Sequence, residues 1–158
     1  RAMGFPVVVA TRNTGEAVDG ITRVSGNTAV PDVAAQSDIL INVLPLTDET
    51  RNVLNARLFA AMPQGAALIQ LGRGEHLVEA DLLDSLNAKH LSGASLDVFQ
   101  QEPLPPTHPF WTHPDILITP HEASVTSPSA VADALAQSVR EMAQGQHPTT
   151  AIDRNSGY

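Results

Sequence analysis

Short apolar runs alternate along the chain with polar segments whose apolar positions recur at helical spacing. Val7-Val8-Val9-Ala10 is rich in β-branched residues and reads as a buried strand. Residues 38–44, 66–71, 93–99 and 115–119 read as four more strands, the first of these stopped by Pro45. Between them, residues 31–37 predict a short helix with Pro31 near its first turn. Asn55 caps a helix through Met62, ended by Pro63-Gln64-Gly65. Residues 79–88 carry Leu82, Leu83 and Leu86 at helical spacing. Residues 128–144 predict a last helix with Val131, Ala134, Leu135, Val139 and Met142 turned inward. Residues 11–28, with Gly15, Gly20 and Gly26, read as loop, residues 102–114 as a proline-rich loop, and residues 151–158 as a tail. Helices alternating with strands that are apolar on both faces are the pattern of an α/β fold whose parallel sheet is covered on both sides.

Composition narrows the function classes. The net charge is -8 and no Lys/Arg cluster appears, which disfavours a nucleic-acid partner. The 158 residues contain no cysteine, so disulfides, thiolate catalysis and cysteine-ligated zinc are excluded, and a cytoplasmic protein is expected. No apolar run is long enough to cross a bilayer, and no membrane partner is expected. Residues 1–4 read as the end of a helix begun upstream, with Gly4 as its stop. A doubly wound, Rossmann-like sheet usually opens with a Gly-x-Gly-x-x-Gly turn after its first strand. None is present here, and Gly72-Arg73-Gly74 lacks the third glycine. Either the chain binds no dinucleotide, or that strand and its turn lie upstream of Arg1.

Three charged side chains follow expected strands: Arg73 after residues 66–71, Glu102 after 93–99 and His121 after 115–119. Open parallel sheets bind ligands outside the carboxyl ends of their strands. There an arginine forks onto a carboxylate, and an acid beside a histidine stabilises the imidazolium. Asp97 is a charge inside an apolar run and needs a partner, a ligand amide or a loop group. Arg12 follows the 7–10 strand where an acid would bind the ribose hydroxyls of NAD; an arginine suits the 2′-phosphate of NADP. His108 and His113 flank Phe110 and Trp111, which read as anchors of the proline loop, and their spacing disfavours metal ligation. His76, His90 and His147 read as surface positions, and Asp48-Glu49 as a solvated turn.

In order, Gly72-Arg73-Gly74, Asp97-Val98-Phe99-Gln100-Gln101-Glu102-Pro103-Leu104 and Thr119-Pro120-His121 resemble the D-isomer-specific 2-hydroxyacid dehydrogenases. Leu44-Pro45-Leu46-Thr47, Pro105-Pro106 and the ending Ile152-Asp153-Arg154-Asn155-Ser156-Gly157-Tyr158 are similar to the bacterial glyoxylate/hydroxypyruvate reductase branch. The resemblance implies a catalytic set of His121 as general acid, Glu102 as its orienting carboxylate and Arg73 as the substrate-carboxylate ligand. It implies cofactor contacts from Thr11, Arg12, Leu44, Pro45, Thr50, Leu71, Gly72 and Asp97. NADP(H) is the expected cofactor, with NAD(H) as the alternative and no metal. The expected partners are a small 2-keto acid and, at full length, a second copy in a homodimer. Residues 1–127 would form a nucleotide-binding domain lacking its first βα unit. Residues 128–158 would return toward a substrate domain supplied upstream, and the 158 residues alone would be inactive. An NAD(H)-sensing corepressor-like module on the same fold is the rival reading.

Overall fold

Two parallel sheets carry the strands of the computed structural model, which describes residues 4–12, 20–123 and 126–151. β1 (Val7–Thr11) pairs with β2 (Ile21–Ser25). The second sheet runs β3 (Ile39–Asn42), β4 (Ala67–Gln70), β5 (Gly93–Leu96) and β6 (Ile116–Ile118), in chain order and all parallel. The helices are α1 (Ala29–Ala34), α2 (Ala56–Ala61), α3 (Glu79–Asn87) and α4 (Pro128–Ala143). Asn55 caps α2 as its sequence predicts: its Oδ1 accepts the Leu58 N–H at 3.1 Å.

The structure corrects the reading of residues 11–28 as loop. Ile21-Thr22-Arg23-Val24-Ser25 holds three β-branched residues and forms a strand, and Gly20 and Gly26 bracket it with positive φ. The glycines punctuate a strand instead of marking a continuous loop. Residues 13–19, which include Gly15, lie outside the described residues, as do residues 1–3 of the expected helix end.

The core gathers on one face of the second sheet. Leu40, Leu68, Ala94 and Leu96 pack in one cluster with Leu58, Phe59 and Met62 from the α2 region and Leu82 and Leu86 of α3. Phe110 joins them and anchors the proline loop. Trp111 does not; it is half exposed and holds on through its Nε1–H to the Pro105 carbonyl at 2.9 Å. The opposite face is not covered as expected. Ile39 (51%), Ile41 (54%) and Leu117 (63%) are exposed there. Apolar strands show that both faces are suited to burial, but not what lies against each.

The chain forms two compact units, Arg1–Thr119 and Pro120–Tyr158. In the second unit, α4 buries none of its residues, and Val131, Leu135, Val139 and Met142 are exposed. Their expected inward orientation is therefore corrected: the stripe is present, but nothing among the described residues buries it. The Glu141 carboxylate instead accepts the Thr149 N–H at 2.8 Å, tying the following segment back to the helix. Hydrogen bonds from the Gln137 amide and Thr149 hold that carboxyl below the usual carboxylate range. No helix among the described residues is long and apolar enough to cross a membrane.

Candidate active site

The register aligns the carboxyl ends of the second sheet: Asn42 pairs with Gln70, Gln70 with Leu96, and Leu96 with Ile118. Parallel strands therefore deliver their following loops side by side. In the first unit these are Leu44-Pro45 after β3, Leu71-Gly72-Arg73 after β4, and Asp97 through Glu102 after β5. A hollow of about 330 Å³ at the opposite edge, lined by Lys89, His113 and Asp115 among others, lies away from these loops.

Buried polar groups build this edge. Asn42, Gln70, His76 and Asp97 are buried, with His76 and Gln70 fully so. An unpaired polar group in such a place costs free energy, so each must find partners. The Gln70 Oε1 accepts from Asn42 Nδ2 at 2.7 Å and from the Gly72 N–H at 3.3 Å. Its Nε2 donates to the Arg73 carbonyl at 2.8 Å. The Asn42 Oδ1 accepts the Leu44 N–H at 3.2 Å. The surface placement expected for His76 is thus wrong; residue type alone did not reveal that three strand-end groups converge on its ring. His90 is half-buried, its Nε2 bonded to the Phe59 carbonyl at 2.8 Å, while His147 is exposed.

The His76 tautomer follows from its partners. The Arg73 backbone N–H can only donate, and it points at His76 Nδ1 from 3.0 Å. Asn42 Nδ2 approaches the same nitrogen at 3.0 Å. Nδ1 is therefore the acceptor, and the proton sits on Nε2, which donates to the Pro45 carbonyl at 3.3 Å. Burial pushes this imidazole below its ordinary pKa. The Pro45 carbonyl and Glu75 oppose that shift, while Arg73 and Arg51 reinforce it.

Arg73 itself is exposed, and its Nη1 folds back to the Gly72 carbonyl at 2.7 Å. Gly72 is buried and Leu71 half-buried, with the Leu71 N–H on the Asn42 carbonyl at 3.0 Å. Gly74 brings the arginine turn against the loop after β5. A Cβ at Gly74 would lie 1.9 Å from the Phe99 carbonyl oxygen, so no side chain fits there. The Phe99 N–H in turn donates to Glu102 Oε1 at 2.9 Å. Backbone packing thus links the turns that carry Arg73 and Glu102. Asp97 finds a hydroxyl partner, accepting from Thr119 Oγ1.

The remaining predicted residues take these places. Thr11 ends β1 and is half-buried, and Arg12 follows it. Arg12 Nη2 lies 3.3 Å from Glu49 Oε2, so the expected solvated turn carries an exposed ion pair. The Thr47 hydroxyl, the Glu49 backbone and Arg12 hold the Glu49 carboxyl below the usual range. Leu44 is half-buried and Pro45 exposed. The Thr50 hydroxyl is engaged inside its own loop, donating to the Pro45 carbonyl at 2.7 Å and accepting the Thr47 N–H at 2.8 Å. His121 is exposed in the second unit and takes a left-handed backbone, φ 57°. That conformation is uncommon outside glycine and occurs at functional sites. Among the described residues, no group of three or more His, Asp or Glu could hold a metal ion.

Comparison with known proteins places this geometry. Residues 1–123 match the family model described as D-isomer specific 2-hydroxyacid dehydrogenase, NAD binding domain. The glyoxylate/hydroxypyruvate reductase A of Serratia proteamaculans is 43% identical over 99% of this chain and 50% of its own length. That of Yersinia enterocolitica is 41% identical over 98% and 49%. The chain spans about half the length of these curated relatives. A D-isomer specific 2-hydroxyacid dehydrogenase from Xanthobacter autotrophicus, solved with NADPH and MES, superposes with TM-score 0.92 and 37% identity, over 98% of this chain and 64% of that one. The NADPH-dependent glyoxylate/hydroxypyruvate reductase of Sinorhizobium meliloti, solved with NADP and sulfate, gives TM-score 0.91 and 33% identity over 99% and 51%. The sheet is that of a Rossmann-like nucleotide-binding domain, and the chain belongs to the D-isomer specific 2-hydroxyacid dehydrogenase family.

Proposed function

We propose that the chain is the nucleotide-binding part of an NADPH-dependent reductase that converts a small 2-keto acid, glyoxylate or hydroxypyruvate, to the 2-hydroxy acid. The observation that carries this reading is the arginine turn at the end of β4, held by Gly74 against the loop that bears Glu102. Arg73 keeps guanidinium N–H groups beyond the one on the Gly72 carbonyl, enough to fork onto a substrate carboxylate. His121 protonates the keto oxygen, and Glu102 orients the imidazole and favours its charged form. The bound reduced nicotinamide supplies the hydride.

The residues fit part of such a cofactor. Arg12 directly follows β1, whose own residues include no acid, and this favours NADP(H) over NAD(H). Asp97, buried at the end of β5, is assigned to the nicotinamide carboxamide, and Leu44, Pro45, Thr50, Leu71, Gly72 and Thr11 to the rest of the cofactor surface. Because Thr50 spends its proton on Pro45, it would meet the cofactor as an acceptor or after turning its hydroxyl. No Gly-x-Gly-x-x-Gly turn occurs in these residues, so the pyrophosphate cradle is assigned to sequence outside them. A cytoplasmic homodimer is the proposed working form.

Steady-state kinetics of the full-length reductase test this. His121→Ala should lower kcat by roughly 10²–10⁴, the usual range for a general acid. Arg73→Ala should raise KM for the keto acid strongly. Near-normal kinetics for both variants contradict the reading, and absence of turnover on glyoxylate by the intact protein favours the corepressor-like alternative.

A further inference from the structure

We propose that His76 is a positioning residue: one neutral imidazole locks the arginine turn after β4 to the Leu44-Pro45 loop after β3. The inference rests on the reading of Arg73 as the substrate-carboxylate ligand and of Pro45 as part of the cofactor surface.

One peptide plane carries both contacts of the arginine turn. The N–H of Arg73 and the carbonyl of Gly72 belong to the same planar unit. His76 Nδ1 takes the N–H at 3.0 Å, and the Arg73 Nη1 hangs on the carbonyl at 2.7 Å. Rotating that plane would swing the guanidinium's anchor, so the ring that fixes the plane also fixes where the guanidinium starts. The fit leaves no slack: a Cβ at Gly72 would stand 2.6 Å from His76 Nδ1 and 2.8 Å from Asn42 Nδ2. Across the ring, Nε2 donates to the Pro45 carbonyl, which also receives the Thr50 hydroxyl. The ring is held from its own side as well, because the His76 carbonyl accepts the Leu54 N–H and the Glu75 carbonyl the Asn52 N–H, both at 2.9 Å. Protonation would place an N–H on Nδ1, facing two donors. Burial works against that, and the charges acting on the ring are Glu75, Arg73 and Arg51.

The two ring nitrogens have separable duties, which makes the proposal testable in the full-length reductase. Asparagine places an acceptor oxygen where Nδ1 stands but cannot reach Pro45; glutamine reaches toward Pro45 but offers nothing at the Nδ1 position. His76→Gln should raise KM for glyoxylate about tenfold, the scale of one lost hydrogen bond to a buried partner, with kcat changed less. His76→Asn should restore glyoxylate KM to within about threefold of the parent while weakening NADPH binding by about the same tenfold. Equal effects of the two variants on both constants, or parent-like glyoxylate KM in His76→Gln, overturn the proposal. Nitrogen chemical shifts of His76 in the parent protein give a reading that needs no variant. The Nε2–H tautomer is expected, and an Nδ1–H tautomer or an imidazolium at neutral pH contradicts the lock. Arg73→Ala separates the two readings. If it raises glyoxylate KM and His76→Gln does not, only the positioning role fails; if it leaves KM unchanged, both fail.

Discussion

At the scale of single residues, His76 and Arg12 make opposite demands on their surroundings. His76 is buried and must stay neutral. Its unfolded-state pKa is near 6.5 and its folded-state value is lower. Between those values the unfolded chain binds more protons, so stability rises with pH there. Its contribution is complete above about pH 6.5 and is lost as the pH falls toward the folded-state value. Urea midpoints of the full-length protein should therefore decline between about pH 7 and pH 5.5, and more shallowly in His76→Gln than in the parent. Parallel declines would contradict the assignment. Arg12, in contrast, is held by an exposed ion pair to Glu49, an interaction of small worth. In the proposed cofactor site that guanidinium also meets a 2′-phosphate. Arg12→Ala should weaken NADPH binding by about tenfold or more, the scale of a charge-assisted hydrogen bond, and leave NADH within about twofold. Equal losses for both cofactors, measured by titration, would rule out a 2′-phosphate contact.

At the scale of elements, much of the framework was legible. Strands β1, β3, β4, β5 and β6 and all four helices follow from apolar runs, caps and proline stops. β2 was hidden because glycines at both ends look like loop composition until the five residues between them are read for β-branched content. The strand-end placement of Arg73 and Glu102 was also legible. Asn42, Gln70 and His76 were not, since their partnership depends on strand register and loop approach. A polar residue closing two neighbouring apolar strands, Asn42 and Gln70, is the signal that could have exposed it. Local pattern likewise cannot say what covers a face, as Ile39, Ile41 and the α4 stripe show. The sheet order carries its own consequence. Among the described residues β1 pairs only with β2, and β3 only with β4. In a doubly wound order a strand belongs between β1 and β3. Unpaired edges of this kind invite association with other chains. The 158-residue chain on its own should therefore lack a cooperative melting transition, should aggregate, and should bind no NADPH. A soluble monomer that melts cooperatively and binds NADPH would show the sheet complete without another strand.

At the scale of the whole molecule, the proposed reduction of a keto acid draws on an arginine turn, a carboxylate loop and a histidine. The reduction needs a proton as well as a hydride, so the rate of the full-length reductase must fall at high pH as the donor is lost. In the proposed mechanism Glu102 favours the charged imidazole, so removing its charge should make that form less favourable. The most direct measurement is the pH dependence of kcat/KM for glyoxylate with NADPH, compared between the parent and Glu102→Gln. The high-pH limb should move to lower pH in the variant and vanish, with most of the activity, in His121→Ala. A limb that stays in place in Glu102→Gln, or survives in His121→Ala, would contradict the assignment of these two residues.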